Sequence, residues 1–232
     1  MLMPSMNAKQ RAAAEALKYV RSDMVLGLGS GSTSECFIIA LGEAFQSGKF
    51  SNLRCVPTSV QVENLARKYS LPIIRLEECG VVDLAVDGAD EIDPRLNLIK
   101  GLGAALIREK IIEQNSRRFI CIADSSKLVQ KLGTKGPLPV EVIPFAHQTH
   151  EAFFHSLGGT PRLRSREDGS PFVSDNGNYI YHLTFSEGIT SPQDLDRKLH
   201  SRAGIVGTGL FISMAEMAII ATESDIRILH HR

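Results

Sequence analysis

The sequence predicts an α/β fold in which a domain built on a parallel sheet carries an inserted, smaller α+β domain. In the first half of the 232-residue chain, short apolar runs typical of buried strands alternate with segments of helical periodicity, as in βαβ units. After residue 133 the predicted order becomes strand, helix, strand, strand and helix, which is typical of a small α+β domain. Apolar runs return after Gly204, and we expect them to rejoin the first sheet. The predicted domains are residues 1–132 with 207–232, and the insertion 133–206.

The first domain is predicted to alternate short strands with helices. Asn7 is a good helix cap and begins a helix that extends to about Val20. Buried strands are predicted from the apolar runs at residues 24–28, 53–56, 72–76, 81–86 and 118–123. Helices are predicted between them at residues 36–45, 60–69 and 104–114.

The inserted domain is predicted to begin after a hinge rich in glycine, at residues 133–137. Strands are predicted at residues 140–143 and 179–185, and helices at residues 147–157 and from Ser191 or Pro192 onward. A polar, arginine-rich segment covers residues 162–169, and Asp175-Asn176-Gly177-Asn178 is a strong turn signal. The three histidines of the first helix lack the partners of a zinc site, so we predict a polar helix face there.

Composition excludes several classes of partner. Lysine plus arginine equals aspartate plus glutamate at 26 each, which removes the electrostatic argument for nucleic acid or an anionic membrane. No apolar run approaches the length that spans a bilayer, and residues 1–7 lack the apolar core of a signal peptide. The four cysteines are widely spaced and form no Cys-x-x-Cys pair, which indicates free thiols in a reducing compartment. We therefore expect a cytoplasmic protein without a zinc or disulfide framework.

The turn after the first predicted strand, Gly29-Ser30-Gly31-Ser32-Thr33, is the clearest ligand signal. A strand, a turn of glycines and hydroxyls and a helix start present backbone N–H groups and a positive dipole end to an anion. The dinucleotide pattern fails, because Ser32 stands where glycine is needed and residues 44–62 contain no acidic residue to hold a ribose. A phosphate on a small molecule fits better. The alternative is a tight turn with a serine cap.

A second signal is the acidic loop Asp87-Gly88-Ala89-Asp90-Glu91-Ile92-Asp93, which follows the buried run 81–86. Open α/β sheets place their ligands at the carboxyl ends of strands, and the small residues between Asp87 and Asp90 permit a close approach. A polar turn remains the alternative. The spacing does not match a calcium loop, whereas magnesium held by one or two carboxylates plus a phosphate stays open.

Two charged residues follow this loop. Lys100, in Lys100-Gly101-Leu102-Gly103, can neutralise a phosphate or a developing oxyanion, although a lone lysine is more often a solvated surface charge. Glu109 lies on the helix predicted from Ala104. The apolar stripe of Ala104, Ile107 and Ile111 places Glu109 on the opposite face, so periodicity alone predicts a surface residue.

Taken together and in this order, the segments resemble the A type of the ribose 5-phosphate isomerase family. The resemblance covers nearly the whole chain and rests on Gly29-Ser30-Gly31-Ser32-Thr33, Asp87-Gly88-Ala89-Asp90-Glu91-Ile92, Lys100-Gly101-x-Gly103-Ala104-Ala105-Leu106, Arg108-Glu109-Lys110, Ile122-Ala123-Asp124-x-Ser126-Lys127, Leu138-Pro139-Val140-Glu141-Val142-Ile143-Pro144, Asp175-Asn176-Gly177-Asn178 and Gly209-Leu210-Phe211. Each motif is weak by itself, and their order makes the set specific.

The resemblance implies a Rossmann-like domain with an inserted ferredoxin-like domain, no metal or organic cofactor, and in many members a homodimer. It implies interconversion of D-ribose 5-phosphate and D-ribulose 5-phosphate through an enediolate, in the non-oxidative pentose phosphate pathway. It makes Glu109 the general base, and it assigns the other catalytic roles to Asp87, Asp90 and Lys100. The substrate-binding residues that it implies are Ser30, Gly31, Ser32, Thr33, Asp87, Gly88, Ala89, Asp90, Lys100, Gly101, Leu102, Gly103 and Lys127.

Two departures and two alternative functions accompany this resemblance. The family usually has glycine where Leu102 stands, so Leu102 is strained if the position needs a positive φ, and Ser30 replaces a common threonine. One alternative is a non-catalytic sugar-phosphate sensor of the same fold, which needs a DNA-binding segment, whereas only about twenty residues precede the first strand. The other is a magnesium-dependent phosphatase.

Overall fold

The computed structural model describes residues 6–231, so residues 1–5 and 232 of the predicted first domain lie outside the described residues. Its helices are α1 (Ala8–Ala16), α2 (Ser32–Gln46), α3 (Val60–Lys68), α4 (Leu76–Cys79), α5 (Leu106–Gln114), α6 (Glu151–Ser156) and α7 (Pro192–His200). Its strands are β1 (Val25–Leu28), β2 (Arg54–Pro57), β3 (Leu84–Asp87), β4 (Glu91–Ile92), β5 (Leu98–Ile99), β6 (Phe119–Asp124), β7 (Leu138–Val142), β8 (Thr160–Leu163), β9 (Tyr179–Thr184), β10 (Ile205–Thr208), β11 (Leu210–Phe211), β12 (Met217–Ala221) and β13 (Ile226–His230). Short 3₁₀ turns cover Leu17–Tyr19, Ser125–Lys127 and His147–His150.

The chain forms two compact units. The parallel-sheet unit contains the described residues up to Ala89, then Arg108–Lys127 and the residues from Ser213 onward. The antiparallel unit contains Asp90–Ile107 and Leu128–Ile212. The predicted boundaries differ, because they place residues 90–107, 128–132 and 207–212 in the first domain. In the structure, β4, β5 and β11 pair in a three-stranded sheet, which belongs to the antiparallel unit.

The parallel-sheet unit is built on six strands in the order β13-β12-β6-β3-β1-β2. All neighbours are parallel except β12 and β13, which are antiparallel. Strands β1, β3 and β12 are buried along their whole length, as expected for strands covered on both faces of a parallel sheet.

Helices cover both faces of this sheet. Leu26 of β1 packs in an apolar cluster with Ala12 of α1 and Phe37 of α2, whereas its neighbour Val25 packs in a separate cluster with Ile112 of α5. Successive strand residues point to opposite faces, so the two clusters lie on the two sides of β1. A Cβ atom at Gly27 would lie 2.7 Å from Ile112 Cγ2, so glycine permits the close packing of α5 on this strand.

The antiparallel unit contains a four-stranded sheet in the order β10-β7-β9-β8, with the chain order β7-α6-β8-β9-α7-β10. This is the βαββαβ arrangement of ferredoxin-like domains. Its core includes Leu138, Phe154, Tyr181 and Leu199. The predicted fold class, a parallel-sheet α/β domain with a separate antiparallel α+β domain, is confirmed.

Two local predictions were wrong, and one strand was not located from the sequence. The run 72–76 forms only an isolated bridge between Ile73 and Cys55, because α4 begins at Leu76. The arginine-rich segment contains the end of β8, a strand whose alternation of exposed and half-buried residues gives a weak apolar signal. Two of the three histidines on the predicted polar face, His147 and His150, are buried, whereas His155 is exposed. His147 Nδ1 lies 2.8 Å from the hydroxyl of the buried Tyr181. Across residues 6–231, none of the helices is both long enough and apolar enough to cross a lipid bilayer.

Candidate active site

Three loops that the sequence singled out follow neighbouring strands of the parallel sheet. Strands β1, β3 and β6 are adjacent in the sheet, and each runs in the same direction. Their carboxyl ends are therefore at one edge, where open α/β sheets bind ligands. The loops at this edge are Gly29–Thr33, Asp87–Ala89 and Ser125–Lys127. The predicted turn, the first part of the acidic loop and Lys127 thus share one edge of the sheet.

Asp87 ends β3 and has a tightly defined position. Its side chain is only 1% exposed, and Oδ1 accepts hydrogen bonds from Ser34 Oγ at 2.9 Å and from the Gly88 N–H at 2.6 Å. A Cβ atom at Gly29 would lie 1.9 Å from the same oxygen. Glycine is required at position 29 because the turn after β1 passes directly over this carboxylate.

The hydroxyl turn has the geometry of an anion site. Gly31 caps α2 with a φ of 89°, so the helix starts at Ser32 and its first N–H groups have no intrahelical acceptor. Ser30 Oγ and the hydroxyl of the buried Thr58 are 2.7 Å apart, which fixes the first hydroxyl of the turn. Ser32 is exposed and Thr33 is buried, so the two other hydroxyls lie in different environments.

Lys9 joins this edge, and sequence reasoning missed it. From α1, its Nζ donates a 2.8 Å hydrogen bond to Ser32 Oγ. Burial would raise the pKa of Asp124, but hydrogen bonds from Ser126 and the charges of Lys127 and Lys9 outweigh it and lower that pKa. Both lysines are thus close enough to act on the same carboxylate beside the turn. No local pattern could identify Lys9, because its partner is 23 residues away in the sequence.

Glu109 corrects the prediction made from helical periodicity. It lies on α5 in the parallel-sheet unit and is 3% exposed, whereas Ile111, assigned to the core, is 44% exposed. The stripe was counted from Ala104, which has a φ of 72° and lies before the helix begins at Leu106. The buried side of the helix is instead marked by Leu106, Glu109, Ile112 and Glu113. A buried carboxylate on a helix is an arrangement suited to a fixed base.

The remaining predicted residues belong to the antiparallel unit. Lys100 is 3% exposed, so it is not the solvated surface charge of the alternative interpretation. Its N–H donates to the Gly209 carbonyl at 2.9 Å, and its Nζ lies 5.2 Å from the centre of the Phe211 ring. Asp90 Oδ2 accepts a 3.1 Å hydrogen bond from the Leu102 N–H. The acidic loop and the lysine loop are therefore directly connected within this unit.

Leu102 is not strained. Among residues 6–231 it is absent from the non-glycine residues with positive φ, and the left-handed positions of this loop are Gly101 (φ 97°) and Ala104 (φ 72°). A Cβ atom at Gly101 would lie 2.6 Å from Leu106 Cβ, so that glycine is needed on two grounds, whereas the exposed Gly103 has open space around it. The expected strain at the departure from the family pattern is thus not observed.

Within residues 6–231, no three His, Cys, Asp or Glu side chains form a group that could bind a metal ion.

These features define a doubly wound α/β protein with a turn of glycines and hydroxyls and a buried carboxylate, Asp87, at the carboxyl edge of its sheet. Residues 54–225 match the family model described as ribose 5-phosphate isomerase A (phosphoriboisomerase A). A protein of Bacillus mycoides named ribose-5-phosphate isomerase A is 46% identical over 222 residues, covering 96% of this chain and 99% of the relative. One of Thermosynechococcus vestitus with the same name is 44% identical, covering 94% and 92%.

Solved structures agree with this result. A D-ribose-5-phosphate isomerase in complex with phospho-erythronic acid superimposes with a TM-score of 0.94 at 41% identity, covering 97% of this chain and 100% of the other. The ribose 5-phosphate isomerase from Plasmodium falciparum gives a TM-score of 0.92 at 36% identity, covering 96% and 97%. The chain belongs to the ribose 5-phosphate isomerase A family, as its ordered motifs predicted.

Proposed function

We propose that this chain interconverts D-ribose 5-phosphate and D-ribulose 5-phosphate through an enediolate. The observation that carries the proposal is the match to relatives named as isomerases over essentially their whole length, with the predicted site residues present in order. The same matches favour catalysis over the non-catalytic sensor.

The substrate phosphate is assigned to the hydroxyl turn. The unpaired N–H groups at the start of α2, the hydroxyls of Ser32 and Thr33, and the cations Lys9 and Lys127 offer the donors and positive charge that a phosphate dianion requires. The phosphate takes no part in the bond changes. Its binding energy instead positions the sugar for reaction.

Asp87 is assigned to ring opening. The closed furanose must lose the proton of its anomeric hydroxyl while its ring oxygen gains one, and a carboxyl group can perform both transfers. The hydrogen bonds from Ser34 and Gly88 occupy Oδ1 and hold the side chain in one orientation. A carboxylate held in this way can act without the entropic cost of reorientation.

Glu109 is assigned to the proton transfer that moves the carbonyl. Its carboxylate removes the proton from C2 and returns it to C1, while the hydroxyl proton of O2 passes to O1 and the enediolate oxygens carry the negative charge in between. A positioned base contributes roughly 10²–10⁴-fold to such a step. Lys100, supported by the loop that Asp90 anchors, is assigned to stabilising that charge.

The decisive experiment follows conversion of ribose 5-phosphate in D₂O by NMR, with EDTA present, for wild type and for Glu109→Gln. We expect wild type to form ribulose 5-phosphate and to exchange the transferred hydrogen with solvent, because an enediolate releases it to the base. Glu109→Gln should lose roughly 10²–10⁴-fold in kcat with little change in KM. Phospho-erythronic acid, present in the solved relative, should inhibit wild type competitively.

Glu113→Gln is the matched control, because Glu113 is also a buried glutamate of α5, one turn further along. It should retain most of the activity. An equal loss in both variants would mean that burying an amide on α5 disturbs the helix, and the assignment of the base would fail. Binding of ribose 5-phosphate without turnover would instead support the sensor, and release of inorganic phosphate that EDTA abolishes would support the phosphatase.

We also propose a cytoplasmic homodimer acting in the non-oxidative pentose phosphate pathway, as the family resemblance implies. Cys36, Cys55, Cys79 and Cys121 carry thiols rather than disulfides in the structure, as in proteins of a reducing compartment. Burial raises the pKa of Cys55 to about 12, which keeps that thiol unreactive. Light scattering of the purified protein tests the dimer, since a monomeric mass at assay concentration would contradict it.

A further inference from the structure

The backbone of Leu102 is held at both its N–H and its carbonyl group. Its N–H donates to Asp90 Oδ2 at 3.1 Å, and its carbonyl oxygen accepts a 2.8 Å hydrogen bond from a guanidinium nitrogen of Arg164. Arg164 follows β8 and is 62 residues away in the sequence. The Arg164 side chain thus ties a loop of the antiparallel unit to the residues that follow β8 in that unit's four-stranded sheet.

Arg164 is itself fixed in place. Its guanidinium lies 4.1 Å from the centre of the Phe172 ring, which is close enough for a cation–π interaction. The backbone N–H of Arg164 donates to the Ile180 carbonyl at 2.8 Å, and its backbone carbonyl accepts from the Phe172 N–H at 2.9 Å. Ile180 and Phe172 also pack with Ala104 and Leu106, so the same surface supports the far end of the loop.

The loop needs such support because its own backbone hydrogen bonds do not fix its conformation. Gly101 and Ala104 both have left-handed φ values, which alanine adopts only at a cost in free energy. The hydrogen bond from Ala104 N–H to the Gly101 carbonyl closes the turn but does not orient it. The orientation of the two peptide groups that flank the Leu102 Cα atom therefore depends on Asp90 and Arg164.

We propose that Arg164 is a positioning residue, which acts through the carbonyl of Leu102 to hold the Lys100–Gly103 loop in the conformation that isomerisation requires. The proposal rests on the proposed function, because the loop orientation affects turnover only if Lys100 stabilises the enediolate. Arginine suits this task better than lysine, since its planar group donates to the carbonyl and stacks on Phe172 at the same time.

The test compares Arg164→Met, Arg164→Lys and the control Arg162→Met. Arg162 is an exposed arginine two residues earlier on β8. A hydrogen bond from a charged donor is lost in Arg164→Met, so we expect kcat to fall roughly 10–100-fold with a smaller change in KM. Arg164→Lys should recover part of the loss, and Arg162→Met should match wild type. In Arg164→Ala, added methylguanidinium should raise kcat by restoring the donor.

Circular dichroism and the thermal midpoint establish that each variant is folded. Full kcat in a folded Arg164→Met, or equal losses in Arg162→Met and Arg164→Met, would overturn the proposal. A fall in kcat that is fully explained by the fraction of unfolded protein would also overturn it. Hydrogen exchange at the Leu102 amide tests whether Arg164 holds the loop, even if wild type proves inactive. We expect this exchange to be faster in Arg164→Met than in Arg162→Met. Inactivity of wild type would overturn the proposed function alone.

Discussion

Replacing Gly29 by alanine should displace Asp87. The new Cβ atom would lie 1.9 Å from Asp87 Oδ1, 2.0 Å from Cγ and 2.4 Å from Cβ, all far inside contact distance. The carboxylate must then leave the donors Ser34 and Gly88. Each hydrogen bond to a charged acceptor contributes about 1.5–3 kcal/mol, so we expect the free energy of unfolding to fall by about 3–6 kcal/mol.

Urea unfolding followed by circular dichroism measures this loss, and the ribose 5-phosphate assay measures the accompanying fall in kcat. Gly27→Ala is the comparison, because its Cβ would meet Ile112 Cγ2 at 2.7 Å rather than the carboxylate of Asp87. Overpacking there should cost about 1–3 kcal/mol but leave kcat nearly unchanged.

A double-mutant cycle refutes or supports the explanation. In Asp87→Gly the three atoms that the new methyl group would meet are absent. Gly29→Ala should therefore cost much less stability in that background than in wild type. An equal cost in both backgrounds would show that the methyl group disturbs something other than Asp87, and the reasoning would be wrong.

Three further changes test other parts of the structure. Lys9→Met should raise KM for ribose 5-phosphate several-fold and leave kcat nearly unchanged, because Lys9 is assigned to the non-reacting phosphate; a fall in kcat alone would contradict this. Glu91→Leu should lower the free energy of unfolding by about 2–4 kcal/mol and speed hydrogen exchange in residues 133–136, since three backbone N–H groups at 2.6–2.8 Å lose their acceptor. Burial and nearby arginines lower the pKa of both His150 and His182. The unfolded chain therefore binds more protons below about pH 6.5, so the free energy of unfolding decreases as the pH is lowered through this range. A His150→Gln, His182→Gln double variant should lose less of this free energy on acidification, as measured by urea titrations at several pH values.

The sequence predicted the architecture well because hydrophobic patterning is a local property. The buried runs around Leu26 and Leu84 identified two central strands, and the turn chemistry at Gly29 and Asp87 marked the ends of both. Patterning failed where the backbone departs from regular geometry. Nothing in the residue types shows that Ala104 is left-handed.

Contacts between distant segments account for what the sequence could not supply. The roles of Lys9 and Arg164 depend on partners far along the chain, and neither residue belongs to a recognisable local pattern. The burial of Glu109 could be predicted only through the family resemblance, which reversed the conclusion from periodicity. The residues of the candidate site were therefore predicted from the family resemblance, whereas the fold was predicted from hydrophobic patterning.

The position of β12 in the parallel sheet has a consequence for synthesis on the ribosome. This strand pairs with β6 and contacts α1, yet its residues are translated only after Leu128–Ile212 have been made. At about 5–20 residues per second, the nascent chain carries an incomplete sheet, with one edge of β6 unpaired, for several seconds. An unpaired strand edge invites association with other chains. During this interval of synthesis, the edge of β6 that later pairs with β12 is open to association with other chains.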